Sequence, residues 1–141
     1  MISSLSTAAG WLGLSALFGG MVFFPAVVAP RVFKVLSPAS AGEFLRALFP
    51  AYYAFMIVSA TIAALGFHAR PRIALGLGAV ALSTLLVRQL LVPRINAARD
   101  AQLAGDTSAA QRFARGHHLS VAINMVQLVF VTGAVVALAL A

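Results

Sequence analysis

HHLSVAINMVQLVFVTGAVVALALA, residues 117–141, is the stretch whose reading decides the fold. It is long enough to cross a bilayer, which takes about 20 apolar residues in a helix. Its first half nevertheless carries polar side chains. His117, Ser120, Asn124 and Gln127 follow one another at spacings of three, four and three, so they share one face of a helix. Amide groups in hydrocarbon seek partners. This face therefore predicts protein neighbours rather than lipid, and the remaining apolar segments are expected to pack around it.

The composition agrees. The chain has 141 residues, of which 62% are hydrophobic and 9% charged. A soluble domain carries about 25% charged residues, so the deficit points to a chain whose solvent is lipid. One domain is expected at this length. With no cysteine, disulfides and thiolate chemistry are excluded. Ten Lys and Arg against three Asp and Glu leave a net charge of +7. In a membrane chain this excess reads as loop cations facing anionic headgroups, not as a nucleic-acid surface. No Lys or Arg precedes the first apolar run, whereas a signal peptide has a basic start. The first segment is therefore expected to stay as a helix.

The fold class that follows is all-α, an integral membrane four-helix bundle. The spans are expected at about residues 5–30, 47–67, 73–92 and 119–141, joined up-down-up-down. Loops one and three hold Arg31, Lys34, Arg46, Arg94, Arg99, Arg112 and Arg115; the second loop holds only Arg70 and Arg72. The richer side is expected to be cytoplasmic, with both termini outside, as in a bacterial inner membrane. Small residues four apart, such as Ala9 with Gly13 and Ala74 with Gly78, predict close helix approach. Pro25 and Pro30 should kink or end the first helix.

Loop one, SPASAGEFLRALFPAYY, predicts a short interfacial helix. Ser40 would cap it, Glu43 would close a capping box, and Pro50 would break it from the second span. Tyr52 and Tyr53 suit the headgroup belt. Loop three, PRINAARDAQLAGDTSAAQRFARG, is alanine-rich and predicts a cytoplasmic helical extension past Pro93. Gly105 would end it, and Asp106 or Thr107 would start the next helix. No repeat or low-complexity tract stands out.

Candidate binding residues gather on the cytoplasmic side. Arg88 lies five residues before Pro93, about 7.5 Å below the membrane edge. Arg88 is shallow enough to snorkel to the headgroups, with Asn124, Gln127 or backbone carbonyls as partners that hold the bundle in register. No Asp or Glu occurs in a spanning segment, so its counter-ion would otherwise be a ligand anion. Asn124, Gln127, His117 and Tyr52 come from the same half, and Arg31 and Arg94 follow prolines at helix ends. Together they form the candidate ligand-binding cluster. His68 falls on the other side from His117 and His118, so the three do not ligate one metal in a monomer. No triad, phosphate loop or dinucleotide fingerprint occurs, and no catalytic residue or cofactor is assigned.

Four pieces carry a resemblance: PRVFKVL at 30–36, LFPAYY at 48–53, PRINAARD at 93–100 and RFARGHHLSVAINMVQLV at 112–129. In this order the chain resembles the transmembrane protein 205-like family. The resemblance implies a four-helix membrane protein and brings no reaction with it. Pro30, Arg31 and Phe33 give a looser likeness to copper-resistance protein D and to the membrane-embedded protoporphyrinogen oxidase. That oxidase family uses a first-helix histidine for haem, and this chain has none there.

The function expected from these residues is binding of an anionic ligand or lipid at the cytoplasmic-leaflet cluster, with transport as one use of it. Its partners would be membrane lipids through their anionic headgroups. The alternatives are a haem-dependent membrane oxidoreductase and a structural scaffold built as a homo-oligomer on small-residue faces.

Overall fold

The computed structural model describes residues 2–140. Four helices among them are long and apolar enough to cross a membrane: Ser4–Val35, Pro38–Gly66, Pro71–Leu103 and Thr107–Ala139. The first consists of α1 (Ile2–Phe23), a π-helical turn over Phe24–Val28, and α2 (Ala29–Val35). The second is α3 (Pro38–Gly66). The third consists of α4 (Pro71–Leu86), a second π-helical turn over Val87–Leu91, and α5 (Val92–Leu103). The fourth is α6 (Thr107–Ala139).

These helices outrun the spans expected from apolarity. A 33-residue helix is about 50 Å long, well beyond the hydrocarbon thickness of about 30 Å. Apolarity marks only the part inside lipid, whereas the helix continues until a cap or a turn stops it. Ser37 is such a stop: its hydroxyl accepts from the Ser40 amide at 3.2 Å, with Pro38 in the first turn. The cap is thus Ser37, not Ser40. Gly105 is the other stop. It takes φ +99°, and the Asp106 amide returns to the Ala101 carbonyl at 3.0 Å. Asp106 then caps α6 through the Ser108 amide at 2.9 Å, as the sequence predicts.

Pro50 behaves differently from expectation, while the helix runs on past Pro93 as expected. The interfacial helix of loop one is present, but as the first turns of α3, and Pro50 lies inside that helix. Lipid leaves a broken backbone no water to bond with, so the helix holds through the proline. Pro30 and Pro93 each stand at the second position after a π turn. In these turns the Ala29 amide reaches back to the Phe24 carbonyl, and the Val92 amide to the Val87 carbonyl. The wider turn gives the pyrrolidine room that a regular α-turn denies it.

α1 packs on α3, α3 on α4, and α6 on α5, and α6 also reaches α1 and α4. Leu14, Leu17, Met56, Leu77 and Val131 are fully buried at the centre. A Cβ on Gly66 would strike the Gly10 backbone, and one on Gly13 would stand 2.7 Å from the Ser59 carbonyl oxygen and the Ala63 nitrogen. α1 and α3 therefore touch backbone to backbone, the use expected of small residues in membranes. In α4 the tight position is Gly76, under the Phe130 ring, whereas Gly78 faces open space. Leu12, Leu75 and Val129 are more than 70% exposed, an apolar surface that a bilayer would cover.

Candidate functional site

Three members of the polar row of α6 point inward, Ser120 and Gln127 buried and Asn124 partly so, whereas His117 is exposed. Gln127 is buried and donates from Nε2 to Ser83 Oγ at 2.8 Å and Thr84 Oγ1 at 3.1 Å. Those hydroxyls donate to their own helix: Ser83 to the Ala79 carbonyl at 2.7 Å and Thr84 to the Val80 carbonyl at 2.7 Å. Every proton in this small network has an acceptor, so it fixes the register of α6 on α4. Ser120 donates to the His117 carbonyl at 2.8 Å, and Asn124 to the Ser120 carbonyl at 3.2 Å. The Asn124 amide also lies beside the Tyr53 phenol.

Tyr52 belongs to an aromatic cluster. Its ring stacks on Phe24 at 4.9 Å, and Phe49 stacks on Tyr53 at 5.7 Å. The cluster joins the first π turn to α3. His117 is exposed and stacks on Phe113 at 6.1 Å, and the Arg99 guanidinium sits 5.5 Å over the other ring partner's centroid, that of Phe113.

The cations divide into committed and free. Arg46 binds Asp100 at 2.7 Å and so ties the start of α3 to α5. Arg112 binds Asp106 at 2.8 Å and Ser108 Oγ at 2.7 Å at the hairpin tip. The Asp106 carboxyl is held down to about 2 by its bonds from Ser108 and Arg112. Arg31, Lys34, Arg88, Arg94 and Arg115 have no protein partner among the described residues. Arg88 is half-buried in the second π turn.

Two concavities join an uncommitted cation to apolar surface, a smaller one of about 130 Å³ at Arg70, Trp11, Phe67 and Leu138 and a larger one in the α5–α6 hairpin. α5 and α6 form a helical hairpin, and between them lies a groove of about 480 Å³ lined by Leu91, Arg94, Ile95, Ala97, Ala98, Arg112 and Gly116. A Cβ on Gly116 would stand 2.8 Å from Ile95 Cγ1; glycine there lets the two helices close over the groove floor. The structure brings Arg94 to this groove. It leaves Asn124, Gln127 and Tyr52 in the bundle packing, and Arg31 and His117 outside the lining.

Arg112 and Gly116 were not among the residues the sequence singled out. Their spacing of four, facing Leu91, Ile95 and Ala98 at spacings of four and three, is the signal that marks them. Ser83 and Thr84 were equally legible as two adjacent hydroxyls inside an apolar run.

A family profile described as "Domain of unknown function (DUF4149)" matches residues 12–104. The chain belongs to this family. The matched part of the DUF4149 domain contains Arg31, Tyr52, Arg88 and Arg94, and it ends before Arg112, Gly116 and the polar row of α6. A protein of Aquifex aeolicus (strain VF5) described as "Uncharacterized protein" is similar, 29% identical over 129 residues, which cover 90% of this chain and 92% of the relative. No solved structure matches.

Proposed function

We propose that this DUF4149 membrane protein binds an anionic amphiphile in the groove between α5 and α6. One observation carries the reading: the groove sets an apolar floor beside two arginines, and one of them, Arg94, has no protein partner among the described residues. An unpaired guanidinium with its full fork of donors is suited to a carboxylate or phosphate. Two of the chain's three side-chain carboxylates are engaged by Arg46 and Arg112, and the third, Glu43, is exposed and pairs with no cation among the described residues, so we take the anion at Arg94 to come from outside the chain.

The same proposal includes a membrane orientation. The end bearing the hairpin and the α2–α3 elbow carries seven loop cations against two at the other end, and it faces the cytoplasm under the positive-inside rule. It also includes the likeness to the transmembrane protein 205-like family, whose four-span plan is compatible with this fold.

The test is native mass spectrometry of gently solubilised protein. Arg94→Ala should lose a retained anionic molecule at least about tenfold, the worth of one charge-assisted contact, while thermal stability stays unchanged. Equal retention by Arg94→Ala would remove the groove as the site.

A further inference from the structure

We infer that the occupant of the groove is an anionic phospholipid of the adjacent leaflet. Its phosphate lies at Arg94 and Arg112 and an acyl chain along Leu91 and Ile95. This rests on the reading above and narrows it from any anionic amphiphile to a membrane lipid.

Three observations lead there. The floor is continuous with the membrane-spanning part of the chain. Leu91 is the last residue of the second π turn, and its neighbour Leu90 is 54% exposed. A soluble anion would leave that apolar floor wet, whereas an acyl chain covers it. Secondly, the two guanidiniums differ in commitment. Arg112 is anchored to Asp106 and Ser108 and is a fixed wall, while Arg94 is free to close on a phosphate. Thirdly, Arg88 is half-buried and unpaired six residues earlier on the same continuous helix, about 9 Å deeper along the axis. A headgroup phosphate at Arg94 puts ester carbonyls and glycerol at the depth where Arg88 needs acceptors. A soluble phosphate offers nothing at that depth.

The second proline gives the arrangement its direction. Pro93 and the π turn ahead of it set the rotation of α5 relative to α4, and thus which α5 residues face α6. The lipid site and the π turn are therefore one construction.

The test uses the full chain in nanodiscs of zwitterionic phosphatidylcholine. The chain has a single tryptophan, so Trp11→Phe with Ala97→Trp places the only indole on the groove lining. Phosphatidylglycerol with brominated acyl chains is titrated against brominated phosphatidylcholine, and soluble glycerol 3-phosphate is added in a separate arm. The expected result is quenching at a several-fold lower fraction of the anionic lipid than of the zwitterionic one. Arg94→Gln should abolish that preference and Arg88→Gln should weaken it, both at unchanged Tm. If glycerol 3-phosphate shifts the indole emission through Arg94 and the anionic lipid has no preference, the lipid inference is wrong while the anion groove stands. If neither probe is sensed, the lipid inference fails, and the anion groove is then decided by the retention test on Arg94→Ala.

Discussion

Gln127 makes the only side-chain hydrogen bonds between α6 and α4 among the described residues, yet the cost of losing it should be small. Ser83 and Thr84 keep their bonds to the α4 backbone when the amide is gone, and inter-helical polar contacts in membranes are worth about 0.6 kcal/mol on average. Gln127→Leu should therefore lower stability by about 1 kcal/mol or less, read as a shift of a few degrees in thermal unfolding in detergent. Adding the isosteric Thr84→Val to it should change little further, since the buried methyl is kept; a large additional loss would mean that the Thr84 hydroxyl has a role beyond this bond. Glycines separate by position. Gly66→Ala drives a methyl into the Gly10 backbone and should destabilise by about 1–3 kcal/mol, the usual cost of overpacking. Gly78→Ala meets open space and should be neutral or slightly stabilising by the helix preference for alanine.

At the scale of the element, the π turns and the hairpin carry the expectations. Phe24–Val28 and Val87–Leu91 are each followed by one residue and then Pro-Arg, at Pro30-Arg31 and Pro93-Arg94. The two elements repeat one device in the first and third spans. Pro93→Ala removes the reason for the wide turn. α5 should then rotate by about 100°, one residue's worth of helix. Helix content by circular dichroism should not change, while anion retention should fall with the loss of Arg94 from the groove. The hairpin tip responds to acid. The folded Asp106 carboxyl lies at about 2, below its ordinary 3.8. A depressed acid contributes stability above its unfolded pKa and loses it as pH falls through the folded one. The protection of Thr107–Arg112 amides against hydrogen exchange, corrected for the intrinsic rate at each pH, should fall between pH 4 and 2 in the native chain. In Asp106→Asn the exchange should show no such step.

At the scale of the whole molecule, topology is the testable quantity. The chain lacks cysteine, so single cysteines report sidedness without background. Ser108→Cys should be labelled by an impermeant maleimide only in inside-out vesicles, and Ala69→Cys only in right-side-out ones. The opposite pattern would invert the orientation read from Lys and Arg. This scale also shows how far local reading reaches. The four spans, the Gly105 and Asp106 boundary and the inward row of α6 follow from apolarity, φ preference and helical spacing, all properties of neighbouring residues. The candidate site was legible only in part. Arg94 was singled out, like Arg31, because it follows a proline at a helix end. Arg112 was passed over because its spacing of four to Gly116 becomes a signal only once α5 is known to face α6.

The sequence by itself determined that this is a four-span membrane protein with an excess of cations at one end, because lipid accepts only long apolar helices and because charge can be counted. Only the tertiary structure decided which small residues let helices touch, how the prolines are absorbed, and what each polar group bonds. Gln127 is spent on Ser83 and Thr84, Arg46 on Asp100 and Arg112 on Asp106. Arg94 is left beside an apolar groove. The reason is physical: a side chain's partner depends on the distance between segments far apart in the chain, and residue spacing fixes faces but not which face meets which.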